Sequence, residues 1–192
     1  MQPLVLASSS PYRRELLQRL RIPFSWRSPD IDESALANES PQALVQRLAQ
    51  SKARALEGEF SQHIIIGSDQ VAVLDDRIIG KPGNANAAIE QLTAASGRCV
   101  HFYTGLCVYN SLTQSVQVDT VRYSVHFRLL SPEQIQRYVE LEQPLDCAGS
   151  FKSEGLGISL FQAMEGSDPT SLIGLPLIRL CDMLNNAGFS LP

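Results

Sequence analysis

The stretch Leu4-Val5-Leu6-Ala7-Ser8-Ser9-Ser10-Pro11-Tyr12-Arg13-Arg14 decides the class of fold. Its four apolar residues, 4–7, predict a short buried strand. Ser10 is a favourable N-cap and Pro11 suits the first helical position, so a helix is predicted to begin there. Leucines at positions 16, 17 and 20 give that helix an apolar face. A strand, a polar turn and a helix in direct succession indicate an α/β type of chain.

The rest of the chain mixes the same two kinds of element. Ser40-Pro41, Asn84 and the capping box at Ser131-Pro132 predict helices that run to about residues 56, 96 and 141. Predicted strands are 24–28, 64–67, 71–74, 77–79, 99–109 and 116–127. Residues 148–160 are interpreted as loop plus strand, and 177–184 as the last helix. The expected fold class is α/β (mixed α+β), a central mixed twisted sheet flanked by helices.

Length and composition predict one soluble globular domain over residues 1–192, with two lobes around a cleft as a form it could take. Hydrophobic residues make up 44% and charged residues 19%, which argues against disorder. The net charge of −4 disfavours binding to nucleic acid or acidic membranes. No 18-residue apolar stretch or signal peptide is evident, so a cytoplasmic location is expected.

The four cysteines, Cys99, Cys107, Cys147 and Cys181, form no CxxC pair. A zinc knuckle or a thioredoxin-type motif is therefore not expected. Three of them lie among apolar residues in predicted strands or a predicted helix. Buried free thiols are the preferred interpretation.

Two cationic side chains contradict their local setting. Arg13 lies in the first helical turn, where the helix dipole disfavours cations and where phosphates commonly bind. It could be a phosphate ligand or a solvated surface residue. Lys52 falls on the apolar stripe of the second predicted helix, so it must extend to solvent or meet an anion. The sequence alone leaves both alternatives open for each residue.

Several carboxylates and one further lysine are candidate site residues. Asp69 follows a buried apolar strand, a position where α/β enzymes place catalytic groups, although it could also cap a turn. Asp32 and Glu33 could ligate a divalent cation or form a solvated acidic turn. Lys81, in a Gly-Lys-Pro element, could bind phosphate or lie on the surface. No P-loop, GxGxxG or GxSxG motif occurs.

In combination these motifs resemble the Maf family of nucleoside triphosphate pyrophosphatases. The resemblance covers nearly the whole chain, and the order and spacing of its elements make it specific. The shared elements are residues 6–14 with Leu16-Leu17, Asp32-Glu33, Lys52, Gly67-Ser68-Asp69-Gln70-Val71, Gly80-Lys81-Pro82, Tyr103-Thr104-Gly105 and Gly174-Leu175-Pro176. It implies a Maf/ITPase-like fold.

Within the family, Gln70 and the segment Gly149-Ser150-Phe151-Lys152-Ser153-Glu154-Gly155 resemble the YceF subgroup. That subgroup is associated with hydrolysis of 7-methylguanosine triphosphate. It often has Trp at position 12, and Tyr12 keeps an aromatic ring there. The resemblance implies that Tyr12, Gln70 and Glu154 determine substrate specificity, with Gln70 able to contact the base carbonyl.

The resemblance also implies a mechanism, in which water attacks the α-phosphate and releases pyrophosphate. Asp69 would be the proton acceptor. A divalent cation, Mg²⁺ or Mn²⁺, would be bound by Glu33 and Asp69. The implied phosphate-binding residues are Ser8, Ser10, Arg13, Lys52 and Lys81. A homodimer is implied as well, with the nucleotide as the small-molecule partner.

Two alternatives remain open at the level of sequence. The same catalytic residues would serve a pyrophosphatase for other non-standard nucleotides, with a different base pocket. A septum-formation inhibitor that acts in cell division by binding is the non-enzymatic alternative. A panel of nucleotide substrates separates a 7-methyl-GTP pyrophosphatase from one for other nucleotides. An inactive Asp69 variant tests the binding role in cell division.

Overall fold

The computed structural model describes residues 2–192, which contain seven strands and six α-helices. The strands are β1 (Leu4–Ala7), β2 (Phe24–Arg27), β3 (Ile64–Leu74), β4 (Arg77–Ile79), β5 (Cys99–Asn110), β6 (Ser115–Phe127) and β7 (Phe161–Gly166). The helices are α1 (Pro11–Gln18), α2 (Pro41–Arg54), α3 (Ala85–Ala95), α4 (Pro132–Glu142), α5 (Pro169–Ile173) and α6 (Leu177–Asn186). Two short 3₁₀ helices cover Ala148–Ser150 and Leu156–Leu160.

The strands form one mixed sheet in the order β2-β1-β3-β5-β6-β7, with β4 paired to β3 off this path. β1 pairs in parallel with both β2 and β3, whereas β3–β4 and β6–β7 are antiparallel. Parallel neighbours require a crossover connection, and α1 and α2 lie in the connections that follow β1 and β2. The predicted mixed α/β fold is confirmed.

The chain divides into two compact units, which agrees with the expectation of two lobes. The first comprises the residues up to Gln70, Thr104–Val121 and Asp168–Pro192. The second comprises Val71–Tyr103 and Arg122–Ser167. The assignment of residues 1–192 to a single domain stays a prediction.

The core of the first unit has two layers because its strands alternate between the two faces of the sheet. On one face, Leu4, Leu6, Ile64 and Ile66 pack with side chains of α1 and α6. On the opposite face, Val5, Ala7 and Ile65 pack with apolar side chains of α2. All of these strand residues are at most 2% exposed. Each large one contributes about 1.5–3 kcal/mol by its burial.

The second unit has an aromatic centre. Phe151 makes edge-to-face contacts with Phe102, Phe127 and Phe161, at centroid distances of 4.8–5.6 Å. Such contacts are preferred over face-to-face stacking because of the ring quadrupoles. The first 3₁₀ helix brings Phe151 to this centre, and α3 packs against both that turn and α4.

Three elements differ from the predictions. β3 is one continuous strand, because the polar residues 68–70 that seemed to interrupt it are held by hydrogen bonds or ion pairs. Residues 148–160 contain two 3₁₀ helices, and the strand of this region, β7, begins only at Phe161. The five-residue helix α5 is absent from the predictions because it is too short to show a helical repeat.

The cysteines are all free, as predicted, but only Cys107 is buried. Its burial raises the pKa of the thiol to about 12. The expectation of burial is wrong for Cys99 and Cys181, which are partly exposed, as is Cys147. No helix within residues 2–192 is long and apolar enough to cross a membrane.

Candidate functional site

The polar residues Ser68, Asp69 and Gln70 lie on β3 just past the point where β1 ends. The parallel β1–β3 register finishes at Ala7 opposite Gly67. From Ser8 onward, the chain that follows β1 leads directly into α1. The carboxyl ends of parallel strands are where α/β proteins bind ligands. This end of the sheet is therefore the candidate site.

Gly67 allows α2 to approach the sheet closely. A Cβ atom added at Gly67 would lie 2.0 Å from the carbonyl oxygen of Ala49, and one at Gly105 would lie 2.2 Å from that of Val45. No side chain fits at such distances, so both positions require glycine. The close packing brings Lys52, three residues beyond Ala49, beside Asp69, two residues beyond Gly67.

Lys52 joins two carboxylates. Its Nζ lies 2.6 Å from Asp69 Oδ1 and 3.0 Å from Glu33 Oε1. The side chains of Lys52 and Asp69 are 8% and 10% exposed, whereas that of Glu33 is 57% exposed. A cation on an apolar stripe is thus stabilised by anions instead of extending to solvent. The two carboxylates are brought together because they share this one ammonium group.

The segment that carries Glu33 is anchored to α2 by a second ion pair. Arg47 binds Glu39 through two nitrogens, at 2.7 and 2.8 Å, and also donates to the carbonyl of Ser34. Hydrogen bonding to Arg47 and to the backbone N–H of Leu36 lowers the pKa of Glu39 to about 2. These contacts fix both ends of the short segment that follows Glu33.

Asp32, the neighbour of Glu33, has a local structural role. Its Oδ1 accepts a hydrogen bond of 2.9 Å from the backbone N–H of Ser34. Hydrogen bonding to Ser34 also lowers the pKa of Asp32. Of the two acidic residues considered as metal ligands, Asp32 caps this turn and only Glu33 contacts the site.

The start of α1 lies at the same end of the sheet. Ser10 caps the helix by accepting from the N–H of Arg13, and Ser8 Oγ accepts from the N–H of Ser10. Ser8 is buried, and Tyr12 lies partly buried in the first turn. Arg14 packs its guanidinium 4.1 Å from the ring centroid of Trp26. The two adjacent arginines therefore have different surroundings.

Arg13 is held in place by the backbone of another element. Its Nε donates to the carbonyl of Gly174 at 2.7 Å. Burial lowers the pKa of this guanidinium, and the negative charges of Asp69 and Glu33 oppose that effect. An arginine side chain stays positively charged in proteins, so Arg13 is a candidate partner for an anion.

Gly174 supplies one carbonyl to two site residues. Ser68 Oγ donates to this oxygen at 3.0 Å and to the carbonyl of Gly105 at 2.8 Å. Gly174 has φ = 125°, a conformation that L-amino acids rarely adopt. Position 174 of the Gly-Leu-Pro element therefore favours glycine. The backbone turn at this residue presents the Gly174 carbonyl to Arg13 and Ser68.

Gln70 points to the face opposite Asp69, toward α5. Its Nε2 donates to the carbonyl of Ser171 at 2.7 Å, to that of Leu172 at 3.1 Å and to Thr104 Oγ1 at 3.0 Å. Thr104 is fully buried and donates in turn to the Ser171 carbonyl at 2.9 Å. The Gln70 carboxamide is therefore fixed by neutral hydrogen bonds.

Lys81 and Glu154 belong to the second unit and are both exposed. Glu154 lies in a loop that packs against Glu142, whose Oε2 accepts from the N–H of Leu156 at 2.8 Å. A Cβ atom added at Gly155 would lie 2.9 Å from the same carboxylate. Glu142 therefore determines the path of the loop that carries Glu154.

The donor set at Asp69 and Glu33 suits a hard divalent cation that also binds phosphates. Both carboxylates converge on Lys52, and each has a second oxygen that could ligate a cation. Across residues 2–192, no group of three or more His, Cys, Asp or Glu side chains could hold a metal by itself. Mg²⁺ is commonly bound by one or two carboxylates plus substrate phosphates, so these residues fit it.

Four residues of this site have no role that the sequence predicts. Ser68, Thr104 and Gly174 stand in motifs of the family resemblance, and Ser171 belongs to none of them. Thr104 is a polar residue inside the apolar strand β5, and this contradiction was the available signal. The Ser171 carbonyl carried no such signal, because a backbone acceptor is the same for every residue type.

This site is of a class that suits phosphates. It combines the end of parallel strands, a buried ion-paired Asp, the start of a helix and fixed cations. The family model described as Maf-like protein matches residues 3–187. The chain belongs to the Maf family.

Several similar proteins align with this chain over all or nearly all of their length. A 7-methyl-GTP pyrophosphatase of Pseudomonas aeruginosa is 61% identical over 192 residues, which is 100% of both chains. One of Pseudomonas syringae pv. syringae is 62% identical with the same coverage. One of Alcanivorax borkumensis is 57% identical over 189 residues, 98% of this chain and 96% of its own.

A solved structure shares the fold. The Staphylococcus aureus Ham1 protein aligns with a TM-score of 0.56 at 13% identity, over 98% of this chain and 100% of its own. At this identity the similarity concerns the fold alone. It confirms the Maf/ITPase-like fold that the sequence resemblance implied.

Proposed function

We propose that this protein hydrolyses 7-methyl-GTP to 7-methyl-GMP and pyrophosphate, and so keeps a modified nucleotide out of nucleic acids. The hydrolytic chemistry in this proposal rests on one observation, the buried Asp69–Lys52 pair beside Arg13. A carboxylate fixed among cations is arranged both to accept a proton and to face a polyanion. The choice of base is supported by the names of relatives that are 57–62% identical.

Asp69 is the general base in this proposal. It removes a proton from a water molecule whose oxygen forms a bond to the α-phosphorus. The bond between that phosphorus and the oxygen bridging to the β-phosphate breaks, and the oxygen leaves with pyrophosphate. Lys52 donates to Oδ1 of Asp69, and the remaining lone pairs of the carboxylate can accept the proton and face the cation. Lys52 also holds the carboxylate in one orientation.

The triphosphate is bound by cations and hydroxyls. Arg13, Lys52 and Lys81 provide positive charge, and Ser8 and Ser10 provide hydroxyl donors near the start of α1. Ser10 Oγ accepts from the N–H of Arg13, which leaves its own proton for a phosphate oxygen. The Gly174 carbonyl directs Arg13 by accepting from Nε, so its terminal nitrogens remain for phosphate.

Asp69 and Glu33 would hold a divalent cation, Mg²⁺ or Mn²⁺, at this site. When bound, the ion would neutralise charge on the phosphates and on the leaving pyrophosphate. The residues of the chain orient the water and bind the phosphates independently of the ion's identity.

Tyr12, Gln70 and Glu154 recognise the base. Methylation at N7 gives guanine a delocalised positive charge, which an aromatic ring and a carboxylate both attract. Tyr12 stacks on the base in this proposal, and Glu154 accepts from its N1 and amino edge. Gln70 makes a further polar contact with the same base.

A substrate panel tests the proposal. Pyrophosphate release is measured with 7-methyl-GTP, GTP, ITP, dTTP and UTP, with Mg²⁺ or Mn²⁺ and with a chelator. The highest kcat/KM is expected for 7-methyl-GTP, with activity lost in the chelator. A preference for UTP or ITP would reject the proposed substrate, and release of orthophosphate would reject the site of attack.

Asp69→Asn tests the general base. The amide keeps the shape but cannot accept the proton, so kcat should fall by about 10²–10⁴-fold. Thermal unfolding should show a folded protein. Asp182→Asn, at an exposed position on α6, is the matched control and should retain activity. Substantial turnover by Asp69→Asn would exclude Asp69 as the base.

A further inference from the structure

We infer that Thr104 and the carbonyls of α5 orient the Gln70 carboxamide so that it offers only its oxygen to the substrate, where Oε1 accepts from the exocyclic amino group of guanine. This inference rests on the proposed function and extends it. Gln70, a specificity residue of the proposed function, thereby has a defined hydrogen-bond polarity. Thr104 becomes a positioning residue that acts through Gln70.

The polarity of Gln70 follows from its neighbours. Three acceptor atoms lie within 3.1 Å of Nε2, and two of them are the backbone carbonyls of Ser171 and Leu172. A carbonyl can only accept, so the atom that faces both must be the nitrogen and not the oxygen. The nitrogen has two protons for three acceptors, so the protons are shared among these acceptors and none remains for the substrate. Oε1 is the part of the amide that remains to be offered.

Thr104 fixes the direction of the third contact. Its hydroxyl has one proton, which is directed to the Ser171 carbonyl at 2.9 Å. The same oxygen can then accept from Gln70 Nε2 at 3.0 Å. Since Thr104 is fully buried, water cannot replace either bond. Thr104 and Gln70 thus share the Ser171 carbonyl, and rotation of the amide would break three contacts together.

An oxygen at this position discriminates among purines. The guanine edge carries one acceptor, O6, and donors at N1 and at the amino group. Oε1 cannot bond to O6, which differs from the contact with the base carbonyl expected from sequence. A base without the amino group would leave this partly buried acceptor unpaired, and sites built around a substrate hydrogen bond reject such analogues strongly.

The test uses two substrates that differ only in the amino group, 7-methyl-GTP and 7-methyl-ITP. For the wild-type protein, kcat/KM should be about tenfold or more higher with the amino group, as expected for a bond to a partly buried acceptor. Gln70→Met keeps the length of the side chain and removes the acceptor, so the ratio should fall close to one. An equal loss for both substrates, with the ratio unchanged, would overturn the inference.

Thr104→Val and Thr104→Ser test the positioning role. Valine preserves the shape without the hydroxyl, so the ratio should fall several-fold, with a higher KM for 7-methyl-GTP and a nearly unchanged kcat. Serine restores the hydroxyl and should restore the ratio. If Thr104→Val lowers kcat and the melting temperature while the ratio persists, Thr104 is only structural. If Thr104→Val does not fold, the comparison of Thr104→Ser and Gln70→Met with wild type decides the matter.

Failure of the proposed function and failure of this inference give different experimental results. A wild-type protein that releases no pyrophosphate from either methylated nucleotide would reject the proposed substrate. GTP and ITP differ by the same amino group, so their binding to the wild type and to Gln70→Met, measured by calorimetry, still tests the polarity of Gln70. The absence of any wild-type preference between them would overturn the inference.

Discussion

The two faces of β3 differ in the kind of interaction that holds their polar residues. On the α2 face, Asp69 forms an ion pair with Lys52, which also binds Glu33. On the opposite face, Ser68 and Gln70 make neutral hydrogen bonds to backbone carbonyls. We call these the charged face and the neutral face of the site.

Strand alternation produces this difference without any additional structure. Along β3, residues 65, 67 and 69 point toward α2, while 64, 66, 68 and 70 point toward α1, α5 and α6. The apolar part of the strand buries both faces, and the polar part continues the same alternation past the end of β1. Consecutive residues can therefore carry a reactive carboxylate and a fixed recognition group.

The contrast also concerns energy. A buried charge without its partner is far more costly than a buried hydroxyl or amide that loses one hydrogen bond. Changes on the charged face should therefore destabilise the protein more than changes on the neutral face.

Lys52→Met should have the largest effect. It removes the shared cation and leaves the buried Asp69 carboxylate unpaired, so the free energy of unfolding should fall by about 3–5 kcal/mol. Activity should be lost as well, since Lys52 orients the proposed base. Denaturant unfolding at neutral pH provides the measurement. Arg19→Met, which removes an exposed cation, is the control and should change stability little. An equally small change for Lys52→Met would show that the charged face is not stabilised by this pair.

Gly67→Ala should have the next largest effect, because the new methyl group would meet the backbone of α2 at 2.0 Å from the Ala49 carbonyl oxygen. Backbone cannot yield as a flexible side chain does, so we expect a loss of about 3 kcal/mol. The displaced helix should also separate Lys52 from Asp69 and lower kcat. Gly58→Ala, with nothing within 4 Å of the added Cβ, is the control. Retention of full stability by Gly67→Ala would show that α2 can shift freely on the sheet.

Those parts of the fold that depend on local chemistry could be predicted from sequence. The N-caps Ser10, Ser40, Asn84 and Ser131 each accept from a backbone N–H of the helix they were expected to start. The turn at Asp75 and Asp76 is confirmed as a hairpin between β3 and β4, with positive φ at both residues. A cap or a tight turn involves a few neighbouring residues, so its signal is complete in the sequence.

The charged face was predictable in part. Lys52 violated the apolar stripe of α2, and this conflict correctly indicated that an anion could lie opposite, although solvent was an open alternative. The partner could not be chosen from the sequence. It depends on the approach of α2 to Gly67, which is a property of tertiary packing. The catalytic and metal-binding roles of Asp69 and Glu33 stay predictions.

The neutral face was largely unpredictable. Its acceptors are carbonyls of α5 and of Gly174, and a carbonyl carries no residue-specific information. Asp168 and Pro169 do form a helix-start signal, since Asp168 caps α5 by accepting from the N–H of Thr170 at 2.9 Å. A five-residue helix nevertheless shows no apolar repeat, so the signal was not recognised.

Ser68→Ala probes the neutral face and should have a smaller effect than either change on the charged face. It removes the proton that the hydroxyl shares between the carbonyls of Gly105 and Gly174. The loss of a buried neutral hydrogen bond should cost about 1–3 kcal/mol. The exposed Ser61→Ala is the control. A loss as large as that of Lys52→Met would refute the proposed difference between the two faces.

The smallest effect concerns the outer support of the charged face, the pair Glu39–Arg47. The pKa of Glu39 is lowered to about 2 in the folded protein from an ordinary value of 4.5. The pair therefore stabilises the fold fully above pH 4.5, and this contribution disappears as the pH falls toward 2.

Glu39→Gln should thus destabilise the protein at pH 7 and much less at pH 2.5. The measurement is denaturant unfolding of wild type and variant across this range, with Glu133→Gln as a comparison. Glu133 also has a lowered pKa, but its cause is the hydroxyl of Ser131 and not an arginine. Added salt should therefore weaken the Glu39 contribution at pH 7 more than that of Glu133, because ionic strength screens the attraction between two opposite charges. A difference between wild type and Glu39→Gln that is independent of pH would mean that Glu39 holds the Glu33 segment by its shape and not by its charge.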